Sequence, residues 1–354
     1  DHENLRLDRA ALPVGRDGGM NSCLLSIEDL SVSFRTPEGA ARAVDRVSFG
    51  LNQGETLGVV GESGCGKSVT SLSILGLIPC PPGAIDSGRI RFEGCNLLEL
   101  EPEALRCLRG RDIAMIFQEP MTSLNPVLAI GRQVAEPLMT HRRLSRSQAM
   151  AEAGEWLDRV KIPAARRRLE DYPHQLSGGM RQRVMIAMAM VCRPKLLIAD
   201  EPTTALDVSI QSQILSLMMD LKNETGMSLL LITHNLGVVA QTASRVVVMY
   251  AGQVVEEAGT ADLFDRPFHP YTQGLLRSMP RLGARRAGGR QRLKEIPGIV
   301  PAITEFIPGC RFAPRCPYAF EHCRRHEPDL FGIRGGQQAR CWLRYYPERR
   351  RADA

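Results

Sequence analysis

The stretch Gly61-Glu62-Ser63-Gly64-Cys65-Gly66-Lys67-Ser68 decides the reading of this chain. It fits G-x-x-x-x-G-K-[ST], and its flanks are those the pattern requires: an apolar run Thr56–Val60 before it and a helical run, predicted over Val69 to Leu77, after it. Glycines let backbone N–H groups converge on phosphate oxygens, and the helix N-terminus adds its dipole at the same point. Lys67 then reaches the β and γ phosphates, and Ser68 ligates Mg²⁺. An ordinary glycine-rich turn is the alternative, and the agreement of strand, loop and helix argues against it. Cys65 lies near cationic Lys67, which favours a reactive thiol, but an inert small loop residue is the preferred reading.

Outward from the loop, Leu196–Ala199 and Leu229–Thr233 are also apolar on both faces, as strands covered on both sides require. From Leu24 to about Met279 short aliphatic runs alternate with longer helical patterns, which is the signature of an α/β domain with a largely parallel core. Ligands of such sheets gather beyond the carboxyl ends of the strands. Two carboxylates stand there. Asp200 is suited to hold Mg²⁺, and Glu201 to polarise a water attacking the γ phosphate. Leu176-Ser177-Gly178-Gly179-Met180, followed by a helical run Arg181 to Val191, forms a second anion site. It is of no use to a nucleotide already held by the first loop, and a plain Ser-capped helix is its alternative reading.

The rest of the chain bounds the answer. Its 354 residues suggest one large α/β domain plus an appendage, or two domains. The hydrophobic fraction of 44% is ordinary for a globular protein, and no apolar run approaches the ~18–20 residues of a membrane span. A cytosolic protein is therefore expected. The net charge of +6 rests largely on Arg-rich stretches, read as a solvated basic tail in preference to a nucleic-acid or membrane patch. Residues 1–19 are unpatterned and are expected to be a disordered or non-native leader. Between residues 119 and 176 the β signal fades, and Ser145 to Val160 reads as an amphipathic helix with Ala149, Ala153, Trp156, Leu157 and Val160 on one face. Leu282 to Arg292 reads as a linker. There is one copy of each motif, so one phosphate loop and one Ser-Gly-Gly segment call for a second subunit.

Taken together, the phosphate loop, Leu176–Gly179 and Asp200-Glu201 resemble the nucleotide-binding subunits of ABC transporters, over about Leu24 to Met279. The resemblance implies an ABC-type P-loop NTPase core in residues 20–280, with a mixed sheet and a helical subdomain at about 119–176. MgATP is its substrate, bound by Phe34 stacking on adenine, by Gly61, Glu62, Ser63, Gly64, Cys65, Gly66, Lys67, Ser68 and Val69, and by Gln118. Ser68, Gln118 and Asp200 attend Mg²⁺, Glu201 and His234 are catalytic, and Gln118 also connects to the membrane subunits. Ser177, Gly178, Gly179 and Met180 complete the partner's site, and Asp207 lies in a loop crossing the dimer interface. Met180 departs from the glutamine usual in that segment.

A narrower resemblance, to the oligopeptide and dipeptide importer branch, rests on Phe117–Pro126, on His269-Pro-Tyr-Thr272 and on Gly309–Cys316. It implies a peripheral protein at the cytoplasmic face of a bacterial inner membrane, working with a related second ATPase, two transmembrane permease subunits and an external peptide-binding protein, without nucleic acid. A nickel or other metal-complex importer is the nearest alternative, and a soluble ABC ATPase acting on nucleic acid or ribosomes the more distant one. Four of the ten cysteines, Cys310, Cys316, Cys323 and Cys341, crowd residues 281–354. Gaps of five, six and seventeen residues lack the close C-x-x-C pairs of zinc ribbons and bacterial ferredoxins, so spacing alone leaves zinc, an iron–sulfur cluster and free thiols open. The resemblance implies a [4Fe-4S] cluster on all four, in a small C-terminal metal-binding domain.

Overall fold

Alternating apolar side chains run along β1 (Cys23–Thr36) and β2 (Gly39–Asn52), which pair as an antiparallel hairpin. The computed structural model describes residues 23–118, 123–204, 206–279, 295–305 and 307–351; the expected leader and most of the expected linker lie outside them. β3 (Thr56–Val60), buried at every position, leads through the phosphate loop into the helix Lys67–Ile74. β4 (Gly83–Phe92) returns along β1, and β5 (Cys95–Asn96) completes a four-stranded antiparallel sheet of order β2-β1-β4-β5.

The second sheet carries the site. It is built from β6 (Ile113–Ile116), β7 (Leu196–Asp200), β8 (Ser228–Thr233), β9 (Arg245–Tyr250), β10 (Gln253–Gly259), β11 (Phe331–Arg334) and β12 (Gln337–Ala339), together with β3, in the order β11-β12-β10-β9-β3-β8-β7-β6. The run β9-β3-β8-β7-β6 is parallel, and the pairs beyond β9 are antiparallel. The three decisive strands were legible because each is apolar on both faces and covered on both. The carboxyl ends of β3, β7 and β8 therefore open on one edge, where loop 61–66, Asp200 and His234 emerge.

Two helices differ in extent from the sequence reading, the first also starting two residues earlier, at Lys67. The helix after the loop stops at Ile74 because Gly76 takes φ +58° and the Leu77 N–H reaches back to the Leu72 carbonyl at 2.9 Å, a left-handed C-terminal cap. The later helix begins at Gly178, since the Ser177 hydroxyl accepts the Met180 N–H at 3.4 Å and draws both glycines into the first turn.

Between β6 and β7 the described residues hold no strand. The helices Ile130–Arg142 and Arg146–Arg159 pack on Gly178–Met190, and a Ser145/Gln148 capping box starts the second of them. Its buried face is the expected one: Ala149, Ala153, Trp156, Leu157 and Val160 all join one core cluster with the inner strands. A second cluster lies between the two sheets, and a third joins β9 and the helix Pro270–Arg277 to Phe312 and the partly buried Cys310 and Cys316. The C-terminal hairpin β11–β12 extends the nucleotide-site sheet, with Glu256 opposite Ala339 and Glu257 opposite Gln338.

Trp156→Ala, which opens a large cavity among the inserted helices, is expected to lower the unfolding free energy by about 3–5 kcal/mol in a urea titration; a loss under about 1 kcal/mol would show that this face does not pack as described.

Candidate functional site

Three glycines shape the loop. A Cβ on Gly61 would lie 2.3 Å from the Met249 carbonyl oxygen and one on Gly66 2.5 Å from that of Ala43, while Gly64 has φ +79° with open space around it. The first and third are thus places of close backbone approach, and the middle one is free for a ligand. The Lys67 ammonium, buried, donates to the carbonyls of Gly61 at 2.8 Å and Glu62 at 2.9 Å and approaches the Cys65 sulfur at 3.6 Å. Ser68 and Val69 follow in the first helical turn. Cys65 is fully buried, and burial pushes its thiol above the ordinary value although Lys67 pulls the other way. It is an inert loop residue.

Beyond β7 the two carboxylates part company. Asp200 is buried and one oxygen, Oδ1, has no hydrogen-bond partner among the described residues. Burial raises its pKa, a hydrogen bond from Ser68 opposes that, and the neighbouring Glu201 charge adds to it. A bare buried carboxylate oxygen beside a serine hydroxyl is a donor set suited to Mg²⁺. Glu201 turns away with φ +46°, its N–H held by the Ile232 carbonyl at 2.9 Å. Its Oε1 faces His234 Nδ1 at 3.1 Å, and its Oε2 accepts from Thr204 at 2.9 Å and from the Gln118 amide at 3.4 Å. Burial alone would raise its pKa, but the bonds from His234 and Thr204 and the charge of Lys67 hold it below the ordinary carboxylate range. Glu201 is thus an ionised acceptor held from three sides, as a group that orients water must be.

The remaining residues lie apart from this cluster. Phe34 is half-buried on β1, with its ring against Gly83. Ser177 and Gly178 are exposed, Gly179 and Met180 half-buried, and no hydrogen bond among the described residues joins them to the phosphate loop. They neighbour the segment ending in Asp207 instead: Gly178 faces Leu206, Gly179 faces Ile210, and Asp207 is exposed at the start of the helix Val208–Thr225.

In the tail the expected metal-binding domain, with a [4Fe-4S] cluster or zinc on its four cysteines, finds no support in the geometry. Among the described residues no group of three or more His, Cys, Asp or Glu is placed to hold a metal ion. Tetrahedral zinc, with Zn–S bonds of ~2.3 Å, would draw its thiolates to within ~4 Å of one another. All four cysteines are unpaired and at least half-buried. Burial pushes Cys310 up to about 11 and Cys316 to about 12, and raises Cys341 further, with Cys310, Cys316 and Cys323 adding to the shift. The four thiols thus lie in one buried region without forming a metal-holding group among the described residues.

Comparison with known proteins agrees with this geometry. Residues 44–204 match the model of the ABC transporter family, and residues 255–323 match that of the oligopeptide/dipeptide transporter C-terminal region. The chain is 54% identical to a probable peptide ABC transporter ATP-binding protein of Sinorhizobium fredii, over 90% of this chain and 94% of that one. It is 52% identical to the dipeptide transport ATP-binding protein DppD of Haemophilus influenzae, with the same coverage. The chain belongs to the oligopeptide/dipeptide family of ABC transporter ATP-binding subunits. Among solved structures, the dimeric ATP-binding cassette MJ0796 bound to ADP and phosphate superposes with a TM-score of 0.60 at 27% identity, covering 67% of this chain and 98% of that one. This family identity makes the protein an ATP-hydrolysing transporter subunit with an ABC-type P-loop fold.

Sequence reasoning missed three residues of this ATPase that touch the site residues: Thr204 on Glu201, and Tyr271 and Arg315 on Glu62. The last two lie within stretches already singled out, but nothing in their local spacing signals a partner more than two hundred residues away.

In the folded ATPase, Cys65 is expected to resist iodoacetamide at neutral pH while exposed Cys80 is modified; peptide mass spectrometry that finds both labelled at one rate contradicts the buried loop thiol.

Proposed function

We propose that this subunit powers import of dipeptides or oligopeptides, with MgATP hydrolysed between its phosphate loop and a second ATPase subunit. The observation that carries the chemical reading is Glu201, ionised and held by His234, Thr204 and Gln118 beside Asp200 and its unpartnered oxygen. In this assignment Lys67 and the loop N–H groups hold the phosphates, Ser68, Asp200 and Gln118 hold Mg²⁺, and Phe34 stacks on adenine. Glu201 aligns the attacking water and accepts its proton, and His234 contacts the γ phosphate while fixing the Glu201 carboxylate. Ser177, Gly178, Gly179 and Met180, which share no hydrogen bond with the phosphate loop among the described residues, serve the nucleotide of the partner, and Asp207 borders that contact. The partner is a related, non-identical ATPase.

The peptide cargo follows from the named relatives and from the C-terminal region that the chain shares with the family. Cargo selection then belongs to two permease subunits and an external binding protein. No helix among the described residues is long and apolar enough to cross a membrane. From its family the subunit is assigned to the cytoplasmic face, docked on its permeases. An apolar groove of about 280 Å³ beside Gln118, lined by Leu75, Leu77, Phe117, Pro137, Met185 and Met188, suits a short helix from a permease loop. In the tail, a [4Fe-4S] cluster on Cys310, Cys316, Cys323 and Cys341 is the assigned group, on the strength of the resemblance and of four thiols that are at least half-buried. When bound it supplies a covalent staple across the tail.

Replacing Glu201 with Gln should cut steady-state ATP hydrolysis by at least about a hundredfold while ATP binding persists; hydrolysis at the wild-type rate refutes the assigned role. Anaerobically purified protein is expected to contain iron and acid-labile sulfide, both lost in Cys341→Ser. Stoichiometric zinc without iron would sink the cluster.

A further inference from the structure

The C-terminal tail reaches the phosphate loop directly. Arg315, whose side chain is only 4% exposed, makes a two-pronged ion pair with Glu62: Nη1 to Oε2 at 2.7 Å and Nη2 to Oε1 at 3.0 Å. Its remaining Nε–H donates to the Pro297 carbonyl at 3.0 Å, and its guanidinium lies over the Tyr250 ring. The Glu62 N–H is fixed as well, donating to the Tyr271 hydroxyl at 2.9 Å. Four residues earlier in the tail, Arg311 binds the Ala251 carbonyl and Asp45. Gly252, next along from Ala251, donates its N–H to the Cys65 carbonyl at 3.0 Å and lies against Gly66. The single tail segment Cys310–Cys316 therefore holds the loop directly at Glu62 and reaches its far end through Ala251 and Gly252, while Phe312 packs between Tyr250 and Tyr271.

We propose that Arg315 is a positioning residue for nucleotide binding, acting through Glu62 to set the carbonyls that aim the Lys67 ammonium. The Lys67 Nζ is bonded to the carbonyls of Gly61 and Glu62, one on each side of the Cα that Arg315 holds by its side chain. A glycine-rich loop left to itself samples many conformations, and ordering it on binding weakens affinity. Glu62 occupies a position at which the loop pattern accepts any residue. Its carboxylate points out to the tail, so its part is to anchor the loop from outside. The tail is in this way a component of the nucleotide site.

This proposal rests on the nucleotide-site reading above. Its test is Mg²⁺-dependent binding of a fluorescent ATP analogue to the full chain, with KM and kcat measured in the assembled transporter. Arg315→Ala is expected to weaken binding and raise KM about three- to tenfold, with kcat within about twofold of wild type. Arg315→Lys, which cannot pair in two-pronged fashion, should fall between the two. Glu62→Ala should match Arg315→Ala, and the double variant should be no weaker than either single. Wild-type affinity in Arg315→Ala, or additive losses in the double variant, overturns the proposal. So does a lower melting temperature with unchanged affinity, the mark of a merely structural arginine. If Arg315→Ala does not fold, Glu62→Gln supplies the same readout, since it leaves the tail's own bonds intact. A wild-type chain that binds no analogue overturns the nucleotide-site reading itself.

Discussion

A buried ammonium ion governs the architecture. Lys67 is almost wholly removed from water, and such a charge is costly unless every donor finds an acceptor. Its acceptors are the Gly61 and Glu62 carbonyls, so the loop must curl back over its own lysine, and only glycine tolerates the resulting approach to the backbone at Ala43 and Met249. Those two contacts in turn fix where β2 and β9 pass. β9 must lie beside β3 for Met249 to meet Gly61, and the β2 segment at Ala43 must fold over the loop to meet Gly66. The antiparallel sheet and the parallel sheet are thus held in register by the volume of two absent side chains.

The site itself divides work between neighbours in sequence. Asp200 closes β7 and inherits the strand's burial, which leaves one oxygen dry and unpartnered. Glu201 leaves the strand in a left-handed conformation that an extended continuation would not allow, and this rotates its carboxylate to His234 at the end of β8. A side chain in that region costs of order 1–3 kcal/mol, and it persists because the Ile232 carbonyl, His234 and Thr204 together fix it. The strain sits where two adjacent carboxylates must face different tasks.

Much of this was readable from local pattern, and the rest was not for a physical reason. Strands buried on both faces write their own signal, so Thr56–Val60 and the cores of β7 and β8 stood out, as did the apolar face around Trp156. The helix ends at Ile74 and Gly178 were misplaced because capping depends on φ at Gly76 and on a hydroxyl at Ser177, which overrule residue preference. Phosphate-loop residues were legible since they are contiguous. Thr204, Tyr271 and Arg315 were not, because each acts through a contact that only the folded chain creates. The tail cysteines lie between these extremes: their spacing marked a group, and the folded chain at least half-buries all four, but no metal-holding arrangement stands among the described residues.

The tail also alters what counts as the ATPase core. Extension of the sheet by β11 and β12 covers the edge of β10 and supplies Gln337 to the buried Glu256 carboxylate at 2.7 Å, an acid that the helix at Pro270 also satisfies through the N–H groups of Phe268 and His269. That helix carries Tyr271, which holds the Glu62 N–H, while Arg315 holds the Glu62 side chain. Two routes from the C-terminal residues therefore converge on one residue of the phosphate loop, one through a buried carboxylate network and one through an ion pair. A chain ending after β10 would keep every motif of the ATP site from Phe34 to His234 and lose both supports, so those motifs alone do not define the functional unit.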